Sequence, residues 1–314
     1  MTSTTKPFAP KPPNMKPIAP VTPEDNRPAI CDLLAEHGDY VQKIKESIES
    51  NPLYDPKLHD DLWMLRFWLS HKSGSKKEKA LQSAIGAAVE TLEYRKKYNL
   101  DEADIRRSKW PEWDGPNGEV ITPNDYLKWS NFAEKYTFVH CQLHPDRGLV
   151  TFYQVAGNKP AEKMAGFTEE EEKEIMILWS EWRFQVIDEV TRRTGRLTKH
   201  AMFLDFGGIG LKHLNRKASE REAKLNKMTQ NVYPQCNGGF FLLNMPSFVS
   251  FFFRLVRPLY PKRLMEKMDL ISTESDVNRI YPRFAELHTV PECFRGTHPS
   301  WPPPQTGSKF AEAN

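Results

Sequence analysis

The residues with most chemistry to offer lie together between Pro246 and Lys267. Phe248, Phe251, Phe252, Phe253 and Leu255 supply apolar bulk, and Arg254, Arg257, Lys262, Arg263 and Lys267 place positive charge directly behind it. Aromatic side chains backed by cations suit shallow burial in a bilayer, with the cations against anionic headgroups. A core helix beside a solvated basic turn accounts for the same residues equally well. At about 1.5 Å per residue, a helix from Pro246 to Val256 is roughly 16 Å long, half of a hydrocarbon core, so it cannot cross a membrane.

Elsewhere the residues that could do chemistry have bland explanations. The chain has no GxSxG nucleophile elbow, HExxH, Walker A, EF-hand or kinase signature, and its nine histidines lack ligand spacing. No catalytic residue, metal ligand or cofactor is expected. Glu169 to Glu172 form an acidic run better read as the solvated, dipole-matched first turn of a helix than as a metal site. Gly207, Gly208 and Gly210 follow an apolar run but match no phosphate-binding pattern, and Asp205 before them reads as a buried, hydrogen-bonded structural carboxylate.

Composition narrows the class further. A formal charge of +3, from 44 basic and 41 acidic residues, gives no case for nucleic acid. Cys31, Cys141, Cys236 and Cys293 are widely separated and read as free thiols. With no apolar signal region at its start, the chain is expected to be a soluble cytoplasmic monomer.

The elements that must position these residues fall into two units. Residues 1–28 carry eight prolines and little apolar surface, the composition of a disordered arm; its PxxP matches could recruit a partner. A helical module follows over 29–118. Its apolar residues recur at three-to-four spacing from Leu33 to Ile48, Leu62 to Leu69 and Leu81 to Leu92, and Tyr98-Asn99 ends the third helix. Strands alternating with helices then predict an α/β unit over 122–297 with some parallel pairing, before a flexible tail, 298–314. Its strands are expected at Thr137 to Leu143, Leu149 to Val155, His200 to Phe206, Phe240 to Asn244 and Met268 to Ser272. Thr168, with Glu171 three residues on, opens a long helix that Gly195 closes, buried along Ile175, Leu178, Trp182, Val186 and Val190. Asn215 to Val232 and Asp276 to Phe284 are helical in pattern.

Several of these segments resemble the CRAL-TRIO lipid-binding family, in particular its fungal-type phosphatidylinositol/phosphatidylcholine transfer members. Leu65-Arg-Phe-Trp-Leu-Ser-His-Lys72 is similar to the family's LRFLRARK opening, and Leu92 to Tyr98 to the helix that follows. Phe203-Leu-Asp-Phe-Gly-Gly208 resembles its D-x-x-G strand. Gln230 to Gln235, Phe240 to Pro246 and Phe253 to Pro258 resemble, in order, its YPE, N-x-P and gate-helix signatures. The resemblance implies a mixed sheet flooring a hydrophobic pocket, closed by a mobile gate helix, here Ser247 to Val256. It carries the headgroup-binding role onto Lys72, Gln235 and Arg257, with Gln235 standing where the family has Glu, and the membrane contact onto Phe248, Phe251, Phe252, Phe253 and Leu255. Arg295-Gly296-Thr297 replaces the family's Gly-Gly. The function implied is extraction of one phospholipid, phosphatidylinositol first among candidates, by a cytoplasmic protein that meets membranes transiently. A lipid-sensing adaptor, or a carrier of a sterol or tocopherol-like molecule, is the alternative.

Overall fold

The structure, a computed structural model, describes residues 25–72, 76–102, 139–144, 148–155, 166–210, 215–229, 231–246, 266–285, 287 and 290–297. Three helices come first: α1 (Ile30–Ile48), α2 (Asp61–His71) and α3 (Lys77–Lys97). The Asp60 carboxylate accepts from the Trp63 N–H and so caps α2. Asn99 ends α3 region in the left-handed conformation, which asparagine tolerates better than most residues. Val41, Ile44, Ile48, Met64, Leu65, Phe67, Ala84 and Leu92 close the module's core, as the spacing predicts.

The second unit starts with a hairpin, β1 (Val139–His144) and β2 (Gly148–Gln154), paired antiparallel. It continues as α4 (Glu169–Thr194), β3 (His200–Asp205), α5 (Arg216–Thr229), β4 (Asn237–Leu243), β5 (Met268–Ile271) and α6 (Glu274–Ile280), with 3-10 turns at Tyr281–Arg283 and Glu292–Phe294. The sheet order is β1-β2-β3-β4-β5, parallel from β2 onward, so the sheet is mixed. Thr168 and Glu171 form the reciprocal capping box at the start of α4, and Gly195 (φ 65°) ends that helix in the left-handed region where glycine pays no Cβ penalty. The acidic first turn faces α5: Glu172 pairs with Arg221 at 2.6 Å and Glu169 with Lys224 at 3.1 Å.

Helix α4 is the spine to which the helical module is fastened. Arg66, fully buried on α2, donates to Asp188 at 2.9 Å and Thr191 at 3.2 Å. Arg95 on α3 grips Glu181 with both terminal nitrogens, at 3.0 and 3.1 Å, and Arg192 reaches back to Asp60 at 2.6 Å. A strap completes the joint. Ala29 bridges Arg196, Ile30 N–H donates to the Gly195 carbonyl at 2.8 Å, and Leu197 N–H to the Pro28 carbonyl at 2.9 Å. Residues 25–28, at the end of the stretch whose composition suggests a disordered arm, are therefore held. Arg27 contributes by donating to Thr198 Oγ1.

The two faces of the sheet differ. Because side chains alternate along a strand, the register puts Val150, Phe152, Ala201, Phe203, Phe241, Leu243 and Ile271 on one face. That face is closed by Val277, Ile280, Tyr281 and Phe294, and its aromatic rings stack, Phe203 on Tyr281 at 4.5 Å. The opposite face carries Thr151, Met202, Leu204, Phe240, Leu242, Met268 and Leu270. Near the strand starts α4 covers it, its Trp182 and Ile177 clustering with Leu149 of β2. Beyond that cover Met202, Leu204, Phe240 and Met268 are only half-buried, and Leu270 is 53% exposed.

Candidate functional site

The sheet has a polar group of residues at each end of its strands. At the strand starts, α2 delivers Ser70 and Lys72, while the turn into β4 delivers Gln235, whose φ of 60° is strained for a residue with a side chain. Gln235 Nε2 donates to Ser70 Oγ at 3.1 Å, so two of the three expected headgroup residues, Lys72 and Gln235, are brought to one joint between helical module and sheet. Lys72 Nζ lies 2.8 Å from His37 Nε2. Burial and the Lys72 charge push the His37 pKa down, which keeps the imidazole neutral and its Nε2 lone pair free to accept from the ammonium. Arg257 lies outside the described residues, as do Phe248, Phe251, Phe252, Phe253 and Leu255.

The structure adds cations that motif reading did not single out. Lys199, the residue before β3, is half-buried, and its pKa falls to about 8 through burial and then through the charges of Lys267, Arg66 and Lys72. Among the described residues no carboxylate pairs with Lys199 or Lys72. Lys267 Nζ donates to the Asn237 carbonyl at 2.8 Å. Arg66 has one terminal nitrogen on Asp188, but its Nε and Nη1 are buried without a partner. Asp188 is itself shared with Arg192, at 2.6 Å. The charges of Lys267, Arg66 and Lys72 thus all act on Lys199. No sequence signal marks Lys199, since a lysine before an apolar strand is ordinary; only the crossovers bring it to Lys72.

Deeper on the same side, His200 is fully buried under α4. Its Nε2 is 2.7 Å from Thr151 Oγ1 and its Nδ1 3.3 Å from Arg183 Nη1. Burial and the Arg183 cation hold its pKa well below the usual histidine value, so it packs as a neutral ring.

At the strand ends Asp205 is the structural carboxylate that its place before the glycines suggests. It accepts from the Gly207 N–H at 2.8 Å and from Asn244 Nδ2 at 2.9 Å, and Arg295 Nη2 donates to Asn244 Oδ1 at 3.2 Å. Burial raises the Asp205 pKa despite these donors. The D-x-x-G and N-x-P segments are therefore one hydrogen-bonded corner, and Arg295 enters it where the family has glycine. Among the described residues no group of His, Cys, Asp and Glu could hold a metal ion, and no helix is long and apolar enough to cross a membrane.

Comparison with protein-family models matches residues 147–295 to the CRAL/TRIO domain. The span takes in β2 to β5, Gln235 and the Asp205 corner, while Ser70 and Lys72 lie before it. Comparison with curated proteins finds no match. Among solved structures the chain is similar to one titled "Crystal structure of Sfh5", at 11% identity over 80% of this chain and 81% of that one, with a TM-score of 0.42. With a mixed sheet and a helical module fastened before it, the chain carries a CRAL/TRIO domain over residues 147–295.

Proposed function

We propose that this protein extracts a single phospholipid from a membrane and exchanges or presents it without altering it chemically, with phosphatidylinositol the leading candidate. The observation that carries the reading is the half-covered apolar sheet face ending at a joint rich in cations. Met202, Leu204, Phe240, Met268 and Leu270 offer acyl chains a floor. Lys72 and Gln235 then stand where a phosphodiester and its polar substituent come to rest, with Arg257 as a third, bidentate partner. Phe248, Phe251, Phe252, Phe253 and Leu255 would meet the bilayer and open the floor, which makes the protein a cytoplasmic, peripherally membrane-associated monomer. Gln235 donates and accepts but brings no negative charge, so discrimination between headgroups is weaker than with glutamate there. Mass spectrometry of lipid co-purifying with the protein, followed by transfer between vesicles, tests the reading. Phospholipid in the protein and transfer that fails in the Lys72→Ala, Arg257→Ala double variant support it. A bound sterol or tocopherol-like molecule, or binding without transfer, overturns it in favour of another carrier or a lipid-sensing adaptor.

A further inference from the structure

The His37 Nε2 atom of α1 stands between a donor and an acceptor. Lys72 Nζ, arriving from the end of α2, is 2.8 Å away, and Glu36 Oε1, on α1 itself, is 3.3 Å away. One nitrogen cannot serve both. Neutral, with its lone pair at Nε2, the ring accepts from the ammonium; protonated, it carries a hydrogen there that goes to the carboxylate, and it repels Lys72. The ring itself has little freedom to move. It is 7% exposed and lies edge-on to Trp68, centroids 6.2 Å apart, and Trp68 is stacked on Tyr40 at 3.8 Å. Among the described residues the charges acting on it are Lys72, from α2, and Glu36, from its own helix, and none comes from α3. Both partners are exposed, so either side chain can swing away while the ring stays. The shorter contact is the one to Lys72, and the His37 pKa is depressed, first by burial and then by the Lys72 charge, so the ring in this structure is the acceptor.

We infer that His37 is a positioning residue for Lys72, a proton-operated holder that keeps the ammonium drawn back while neutral and hands it to an anionic headgroup once protonated. This rests on the reading above in which Lys72 meets a phosphodiester. The coupling is reciprocal: a phosphodiester at Lys72 offsets the charge that disfavours the imidazolium, so anion and proton are taken up together. An anionic membrane supplies both. At a leaflet of about −30 mV protons are concentrated roughly threefold, so His37 is protonated more readily where the lipid is than in bulk water. Away from that surface the neutral ring draws Lys72 back.

Transfer by the full chain between phosphatidylcholine vesicles containing phosphatidylinositol, measured from about pH 5.5 to about pH 7.5, tests the inference, with the His37 imidazole followed by NMR in the same protein. Wild type is expected to transfer roughly fivefold faster at the acidic end, the worth of one net hydrogen bond released from Lys72. His37→Gln presents an amide oxygen that accepts from Lys72 but takes up no proton, and should stay slow throughout. His37→Phe offers no acceptor and should be fast throughout; if it fails to fold, the Gln variant and the titration decide. By NMR the His37 pKa is expected below the usual histidine value, and both Lys72→Ala and bound phosphatidylinositol should raise it. A wild-type profile flat with pH, or His37→Gln keeping the wild-type slope, overturns the inference and leaves phospholipid transfer standing. No transfer by wild type at any pH, with the His37 pKa still raised by Lys72→Ala, overturns the underlying function instead. An imidazole indifferent to Lys72→Ala overturns the inference whatever the chain carries.

Discussion

Replacing Lys199 by Met should stabilise this protein, the reverse of the usual effect of cutting back a half-buried side chain. The ammonium is brought from the usual 10.5 to about 8, a gap of about 2.5 pH units. At about 1.36 kcal/mol per pH unit the folded state disfavours the charge by about 3 kcal/mol at most, or about 1–2 kcal/mol once solvent screening is allowed for. Methionine keeps most of the apolar stem and removes the charge. The sign with pH follows from proton counting. Below pH 8 the lysine is charged in both folded and unfolded chains, and the full cost is present. Between about 8 and 10.5 the unfolded chain holds the proton and the folded one has released it, so wild-type stability gains with rising pH relative to the variant. Urea denaturation of both proteins at pH 7 and pH 10.5, without added anion, is the assay. The variant is expected to be more stable by about 1–2 kcal/mol at pH 7, with the difference fading toward pH 10.5. A variant less stable at pH 7, or a difference that ignores pH, refutes the picture of an uncompensated cation.

Three further outcomes are expected. Glu181→Gln leaves the buried Arg95 short of its main counter-charge and should cost about 3–5 kcal/mol in denaturant melts, since breaking one side of a buried ion pair strands the other. Phe251→Asp with Phe252→Asp should abolish transfer between vesicles while the thermal midpoint moves by only a few degrees; a large loss of stability would mean that these rings belong to a core. Removing residues 1–24 should leave lipid uptake intact, because their composition cannot build a pocket wall, whereas a cut extended through residue 29 removes the strap and should lower the melting temperature.

What the sequence made legible was set by local physics. The capping box at Thr168, the glycine stop at Gly195 and the hairpin strand from Leu149 each depend on neighbours in the chain, and each is found where the pattern places it. Lys72 and Gln235 were legible through motif order alone. Their convergence depends on α2 being fastened to α4, and that fastening rests on Arg66 reaching Asp188 across 122 residues. The expected arm ran a few residues too far for a similar reason. Composition sees prolines through Pro28, but not the Gly195 to Leu197 corner that supplies backbone partners to Pro28 and Ile30.

That corner also bears on how the chain is made. Arg27 and Thr198 are 171 residues apart, and ribosomes add about 5–20 residues per second, so the partner of the strap emerges roughly 10–30 s after the strap itself. During that interval α1, α2 and α3 can close their own core, which is local, while Arg66 and Arg95 lack the α4 carboxylates they are built to meet. The helical module is thus born with Arg66 unanswered and Arg95 held by Asp101 alone on the flank that α4 will cover. During vectorial synthesis they are a waiting receptor for the acidic face of α4, able to capture it as it leaves the ribosome and before the sheet behind it is complete.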